Sequence, residues 1–138
     1  GDYIRDHSSP DERIFHSGHQ SYGVLWEADR KGSPLPGKVS DIIDYETTRN
    51  TQWYLMYNWG FQTRENTDVW TYFQENYHLA QAGLIRNGNN AQPIYLLFRR
   101  GGTFNESDLN SLISGKPFQT YTYEFTGGKQ ELTVVNVE

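Results

Sequence analysis

The hydrophobic positions fall into short runs whose period changes along the chain. Ile94-Tyr95-Leu96-Leu97-Phe98, entered after Pro93 and left at Gly101-Gly102, is a near-continuous apolar run of strand length. That is the pattern of a strand buried on both faces. Phe118 to Phe125 alternates rings with Thr and Gln, a strand period, and Leu132 to Val137 reads as a final strand. Asp68 to Ala82 carries Val69, Phe73, Tyr77 and Ala80 at helical spacing, with Thr67 or Asp68 to cap it and Gly83 to end it. Asn87-Gly88-Asn89-Asn90 predicts a turn, and Glu106 to Ile113 a helical turn.

The first half is less regular. Asp2-Tyr3-Ile4-Arg5 reads as a short extended start, followed by a turn at Ser8-Ser9-Pro10. Ser9 as N-cap, Pro10 at the first helical position and the acids Asp11 and Glu12 then predict a short helix ending at Gly18. Residues 28–40, with Gly32, Pro34, Pro36 and Gly37, read as a surface loop. Val39 to Thr48 contains Ile42-Ile43 and predicts a strand ending near Thr47. The sum is an α+β chain, with strands dominating its second half. Its 138 residues are of single-domain size.

Composition narrows the function. No stretch approaches the ~18 consecutive apolar residues of a membrane span. The chain has no cysteine, which excludes a disulfide framework, thiolate-bound zinc and a cysteine nucleophile. A net charge of −5 argues against a polymeric nucleic-acid partner, which calls for a basic stripe. Seven Phe, ten Tyr and four Trp argue against disorder and predict a core built largely from rings. The segments Trp53 to Trp59 and Trp70 to Phe73 read first as core packing and second as a ligand-stacking surface. The opening at Gly1, with neither Met nor a signal-peptide pattern, reads as a processed or excised fragment.

Motifs for familiar chemistry are sparse. His7, His16, His19 and His78 lack the H-E-x-x-H pattern and an acid at ligand spacing, so no metal site is expected. There is no G-x-S-x-G elbow, and the Gly101-Gly102 and Gly127-Gly128 pairs lack phosphate-loop spacing.

The run Tyr3-Ile4-Arg5-Asp6-His7-Ser8-Ser9-Pro10-Asp11-Glu12-Arg13-Ile14-Phe15-His16-Ser17-Gly18 resembles the opening of the cholera-toxin and pertussis-toxin group of mono-ADP-ribosyltransferases. Arg5, Ser8, Pro10, Ile14, Phe15 and Gly18 align without a gap, followed by Tyr22-Gly23. His7 stands where the family has Asp, and Ser9 where it has a second Arg. Glu46-Thr47-Thr48 resembles the family's Ser-Thr-Ser strand end, with Glu46 replacing the first Ser. Ile94 to Phe98 and then Phe104-Asn105-Glu106-Ser107-Asp108-Leu109 follow in the family's order. Thr120 to Phe125 resembles the catalytic (Gln or Glu)-x-Glu stretch, with Glu124 in the catalytic place and Thr122 two before it. The alternative register Lys129-Gln130-Glu131 makes Glu131 the runner-up.

The resemblance implies a core of mixed and antiparallel strands in a split sheet, and NAD as cofactor. It implies cleavage of NAD between nicotinamide and ribose, with transfer of ADP-ribose to a protein or nucleotide acceptor, or plain NAD hydrolysis. Glu124 would stabilise the oxocarbenium-like transition state. Arg5 would hold the pyrophosphate or a neighbouring ribose as a fixed charged fork. Thr47 and Thr48 would brace these two, and His7, Tyr121 and Thr122 would line the NAD site. Tyr54, Tyr57 or Tyr121 would stack the nicotinamide. Thr122 is no base toward a guanidinium, so the resemblance does not extend to arginine acceptors. A toxin or effector of this kind is secreted by a bacterium or delivered into a target cell, and has an immunity or delivery partner. Two other readings stand beside it: a catalytically degenerate relative, and an unrelated aromatic-rich domain binding a protein, nucleotide or glycan.

Overall fold

The computed structural model describes residues 2–16, 32–57, 65–87, 90–125 and 127–138. In chain order these form α1 (Asp2–His7), β1 (Arg13–His16), β2 (Gly32–Pro34), α2 (Val39–Thr48), β3 (Thr51–Tyr57) and α3 (Thr67–Asn76). They continue with β4 (Tyr77–Asn87), β5 (Asn90–Arg100), a 3₁₀ turn (Glu106–Asp108), α4 (Leu109–Ile113), β6 (Phe118–Phe125) and β7 (Gly128–Asn136). The fold is α+β. The described strands make one seven-stranded sheet in the order β2-β1-β3-β5-β4-β7-β6, a continuous ladder where the resemblance implies a split one. β1 runs parallel to both β2 and β3, and the remaining pairings are antiparallel.

The sheet buries both faces. On the first, Phe15, Tyr54, Met56, Leu79, Leu96 and Phe98 meet Ile42 of α2, Val69 and Phe73 of α3, and Leu109 of α4. On the second, Ile14, Trp53, Leu55, Ala80 and Leu97 form a smaller cluster against Tyr95. The ring-built core is borne out: Tyr54 stacks on Phe73 with centroids 4.5 Å apart, and Phe73 meets Tyr77 edge-on at 4.6 Å. β5 is the doubly buried strand expected, with Leu96 and Phe98 facing one layer and Leu97 the other. β6 has the predicted bounds, Gly101 and Gly102 leave β5 with positive φ, and Glu106 to Ile113 is helical as expected.

Several expectations fail for local reasons. Val39–Thr48 is a helix, not a strand. Strand alternation would set Ile42 beside Asp44 and Glu46 on one face, whereas the helix groups Ile42 with Val39 and Tyr45 against the core. It leaves Ile43 46% exposed. The extended start at Asp2–Arg5 is the helix α1. The helix expected after Ser9 is a single turn, in which the Glu12 amide donates to the Ser9 carbonyl at 3.0 Å and the Glu12 carboxylate accepts from the Ser9 amide. Ile14 and Phe15 then bury on opposite faces, which only a strand allows for adjacent residues. Within the predicted loop, Gly32–Pro34 is an edge strand and Val39 already begins α2.

α3 is capped by Asn66 rather than Thr67 or Asp68, and it ends at Asn76, six residues before the expected Ala82. Tyr77 is already extended and opens β4. Gly83 is therefore no helix stop; it lies within β4 opposite Tyr95. β4 and β5 pair out to Asn87 opposite Asn90, on either side of the predicted turn. Gly18, His19, Tyr22, Gly23, Asn58, Trp59, Gly88 and Asn89 lie outside the described residues, as do residues 28–31 of the predicted loop.

Candidate functional site

The residues singled out by the resemblance occupy three separate places. Arg5 and His7 are on α1. The His7 carbonyl accepts from Arg99 Nη2 at 3.1 Å, and the Arg99 guanidinium lies 5.0 Å from the Trp53 ring, so α1 ends against the second face. Thr47 and Thr48 are on α2, which covers the first face. Their hydroxyls are exposed and donate back to their own helix, to the Ile43 carbonyl at 2.9 Å and the Asp44 carbonyl at 2.7 Å. Tyr121, Thr122 and Glu124 are on β6, the last strand of the sheet. β6 stands three strands from β5, about 14 Å at ordinary strand spacing. Along the strands the offset is also large. Arg99 pairs with His78 at the start of β4, while Leu132 pairs with Ile85 near its end, and Glu124 pairs with Lys129 further out still. The structure does not bring Arg5, Thr47 and Glu124 together, and Glu131, opposite Thr122, shares the β6 edge of the sheet. Among the expected nicotinamide-stacking rings, Tyr54 is a fully buried core ring and Tyr121 is exposed on β6.

Two polar clusters escaped the sequence reading. The first surrounds Glu46, only 3% exposed. Glu46 Oε2 accepts from the Tyr77 hydroxyl at 2.6 Å, Oε1 accepts from the Tyr72 hydroxyl, and Arg100 Nε stands 3.8 Å from Oε2. Burial, then the hydrogen bond and charge of Glu46, push both phenols well above the usual tyrosine range. The available signal was Glu46 itself: once Val39–Thr48 is read as a helix, this acid falls on the apolar face beside Ile42 and must find donors. With both oxygens occupied and the group closed off from solvent, the cluster holds α2 and α3 to the sheet.

The second cluster is at the other face. His78 Nδ1 lies 2.8 Å from the Gly101 carbonyl and Nε2 lies 2.6 Å from Glu138 Oε2, while Arg99 Nη1 donates to Glu138 Oε1 at 3.2 Å. Both ring nitrogens thus face partners within the fold itself. The cluster fastens α1 and residues 137–138 to β4 and β5. The bulge at Ala80 assists, since its carbonyl accepts from the Val137 amide at 2.8 Å. Among the described residues, no three His, Asp or Glu side chains are grouped to hold a metal ion.

Comparison with known proteins finds no relative. No family model matches the chain, and neither a curated protein nor a solved structure matches it.

What stays open is β6. Its one side pairs with β7 over all eight residues, and among the described residues no strand pairs with the other. Residues 118–122 are exposed, with Phe118 at 64% and Tyr121 at 46%. The opposite edge of the sheet is guarded, because β2 is three residues long and ends in Pro34. β6 has neither protection: from Phe118 to Tyr123 it carries no proline and no charge. Among the described residues it presents a strand edge with no strand partner, flanked by exposed rings, the kind of surface to which another strand adds.

Proposed function

We propose that this chain is a protein-binding domain that takes an extended strand of its partner along β6. The observation that carries the reading is the unprotected eight-residue edge with Phe118 and Tyr121 exposed. Main-chain hydrogen bonds supply affinity in such strand addition, and pockets between alternate side chains supply selectivity. The Glu46 cluster is buried with both carboxylate oxygens hydrogen-bonded within the fold, and the His78–Glu138–Arg99 cluster ties chain segments together, so neither supports a ligand site as β6 does. The test is selection from a random peptide library on the dilute chain, followed by hydrogen exchange with each selected peptide bound. Protection of amides within Phe118–Phe125 is expected. Peptides that protect other segments and leave β6 unchanged would overturn the reading.

A second reading is mono-ADP-ribosyl transfer from NAD on an ADP-ribosyltransferase-like core. It is supported by the ordered resemblance and by the strand found at Phe118–Phe125, where that resemblance needs Glu124. It requires Arg5, Thr47 and Glu124 to act on one NAD molecule, and their separation on α1, α2 and β6 makes it the second reading. Release of nicotinamide from labelled NAD by the wild type, abolished in Glu124→Gln, is the expected result. Absence of both turnover and calorimetric NAD binding would end this reading, and binding without turnover would mark a degenerate relative. Secretion or delivery into a target cell, with an immunity or delivery partner, belongs to this second reading.

A further inference from the structure

We infer that the strand added to β6 is β6 of a second copy of this chain, paired antiparallel about a two-fold axis at Tyr121. The inference rests on the strand-addition reading and names its partner. A two-fold between antiparallel edge strands stands perpendicular to the sheet and keeps each side chain on its own face. Paired positions must therefore share a face, and the axis must pass through a residue. With the axis at Tyr121, Phe118 lies opposite Glu124, Gln119 opposite Tyr123 and Thr120 opposite Thr122. This register brings Phe118 and Tyr121, whose rings are exposed, into the contact, and an axis one residue back, at Thr120, would leave Tyr123 and Glu124 without partners in β6. Moving the axis one residue on, to Thr122, leaves Phe118 beyond the last pair.

The composition of the strand suits pairing with itself. Thr opposite Thr and ring beside ring are favourable cross-strand pairs, and like charges directly opposite are not. In this register no charged residue meets its own copy. Glu124 of one copy comes opposite Phe118, two residues from Lys116, at both ends of the contact, so the charges that do approach are of opposite sign. Pairing would also cover exposed residues 118–122 within the uncharged, proline-free run Phe118–Tyr123, which alone has the pattern of an aggregation-prone edge. The two seven-stranded sheets would become one continuous ladder.

The absence of cysteine makes the register directly readable. At the axis, Tyr121 and its copy have Cα atoms about 4.5–5.5 Å apart, inside the span of a disulfide. Gln119 and its copy are offset by four residues, about 13 Å, and are out of reach. Under mild oxidation Tyr121→Cys is expected to cross-link to a covalent dimer and Gln119→Cys to stay monomeric. Tyr121→Lys, which sets like charges face to face, is expected to weaken dimerisation of the otherwise wild-type chain at least tenfold by sedimentation, and more at low salt. Gln119→Cys linking as readily as Tyr121→Cys would overturn the inference. A wild-type chain that sediments as a monomer at millimolar concentration would overturn it too. In that case, library peptides that still protect β6 amides leave strand addition standing, and peptides that do not remove both.

Discussion

The Tyr77 hydroxyl donates to Glu46 Oε2 at 2.6 Å and ties the first residue of β4 to the third turn of α2. Beside the apolar core that Ile42 shares with Tyr77 and Leu79, helix and strand are joined through a charge-assisted hydrogen bond in a buried setting. Tyr77→Phe removes the donor and keeps the ring in place between Phe73 and Tyr72. The expected loss is about 1.5–3 kcal/mol in urea unfolding, the range for a hydrogen bond to a charged group. Glu46→Ala leaves the phenols of Tyr72 and Tyr77 without their acceptor and is expected to cost more, about 2–5 kcal/mol. Wild-type stability in Tyr77→Phe would show that the contact contributes nothing.

The same pair predicts alkaline unfolding. Burial, and then the Glu46 carboxylate, raise the phenols of Tyr72 and Tyr77 above the ordinary value of 10.0 in the folded chain. Below that pH both states hold the protons, and these two groups make no pH dependence. Above it the unfolded chain releases them while the folded chain keeps them, so the unfolded state binds fewer protons and stability falls as pH rises. Unfolding midpoints measured from pH 8 to 12 should drop from about pH 10 upward, and drop less steeply in the double variant Tyr72→Phe, Tyr77→Phe. An equal slope in that variant would refute the assignment.

Gly83 is a seat for a ring. A Cβ placed there would run into Tyr95 Cε1, because the ring lies across the glycine from the paired strand. The Tyr95 hydroxyl donates to Gln81 Oε1 at 2.9 Å, and Gln81 Nε2 donates to Asn136 Oδ1 at 2.9 Å, so displacing the ring disturbs a chain that reaches β7. Gly83→Ala is expected to destabilise by about 1–3 kcal/mol, despite the better strand propensity of alanine. A neutral or stabilising effect in thermal unfolding would mean that the ring moves aside freely.

Thr47 and Thr48 separate the two functional readings cleanly. Their hydroxyls donate only to the carbonyls one turn back on an exposed helix face. Replacing both with Ala is expected to leave the fold intact and raise its stability by about 0.5–1 kcal/mol, from helix propensity alone. Peptide protection at β6 should be unchanged. Loss of NAD turnover in this stable variant would instead establish them as site residues.

The elements legible in the sequence are those whose pattern is local. The apolar run Ile94–Phe98 identifies a doubly buried strand, ring alternation identifies β6 to its bounds, and Gly101-Gly102 ends β5 because both residues take positive φ. Asn105 opens the 3₁₀ turn through its own side chain, which accepts from the Ser107 amide at 3.1 Å.

The elements that escaped are those where two periods compete over a short span. Ile42-Ile43 fits a strand as well as a helix, and only packing decides that Ile42 is buried while Ile43 faces solvent. Tyr77 and Ala80 continue the helical spacing of Val69 and Phe73, yet the chain turns extended at Tyr77, where the phenol reaches Glu46, 31 residues earlier.

By itself, then, the sequence determined the class of the chain: α+β, built around rings, without cysteine chemistry, with a proline-free aromatic strand near its end. Those properties follow from composition and near-neighbour pattern. Only the tertiary structure decided which acids are buried, which glycine seats a ring, and that Arg5, Thr47 and Glu124 stand apart, on α1, α2 and β6. The physical reason is that strand order and the choice of covered face depend on long-range pairing, which no window along the chain contains. It is that order, β6 last among the described strands, that turned a run of rings and threonines into the candidate site.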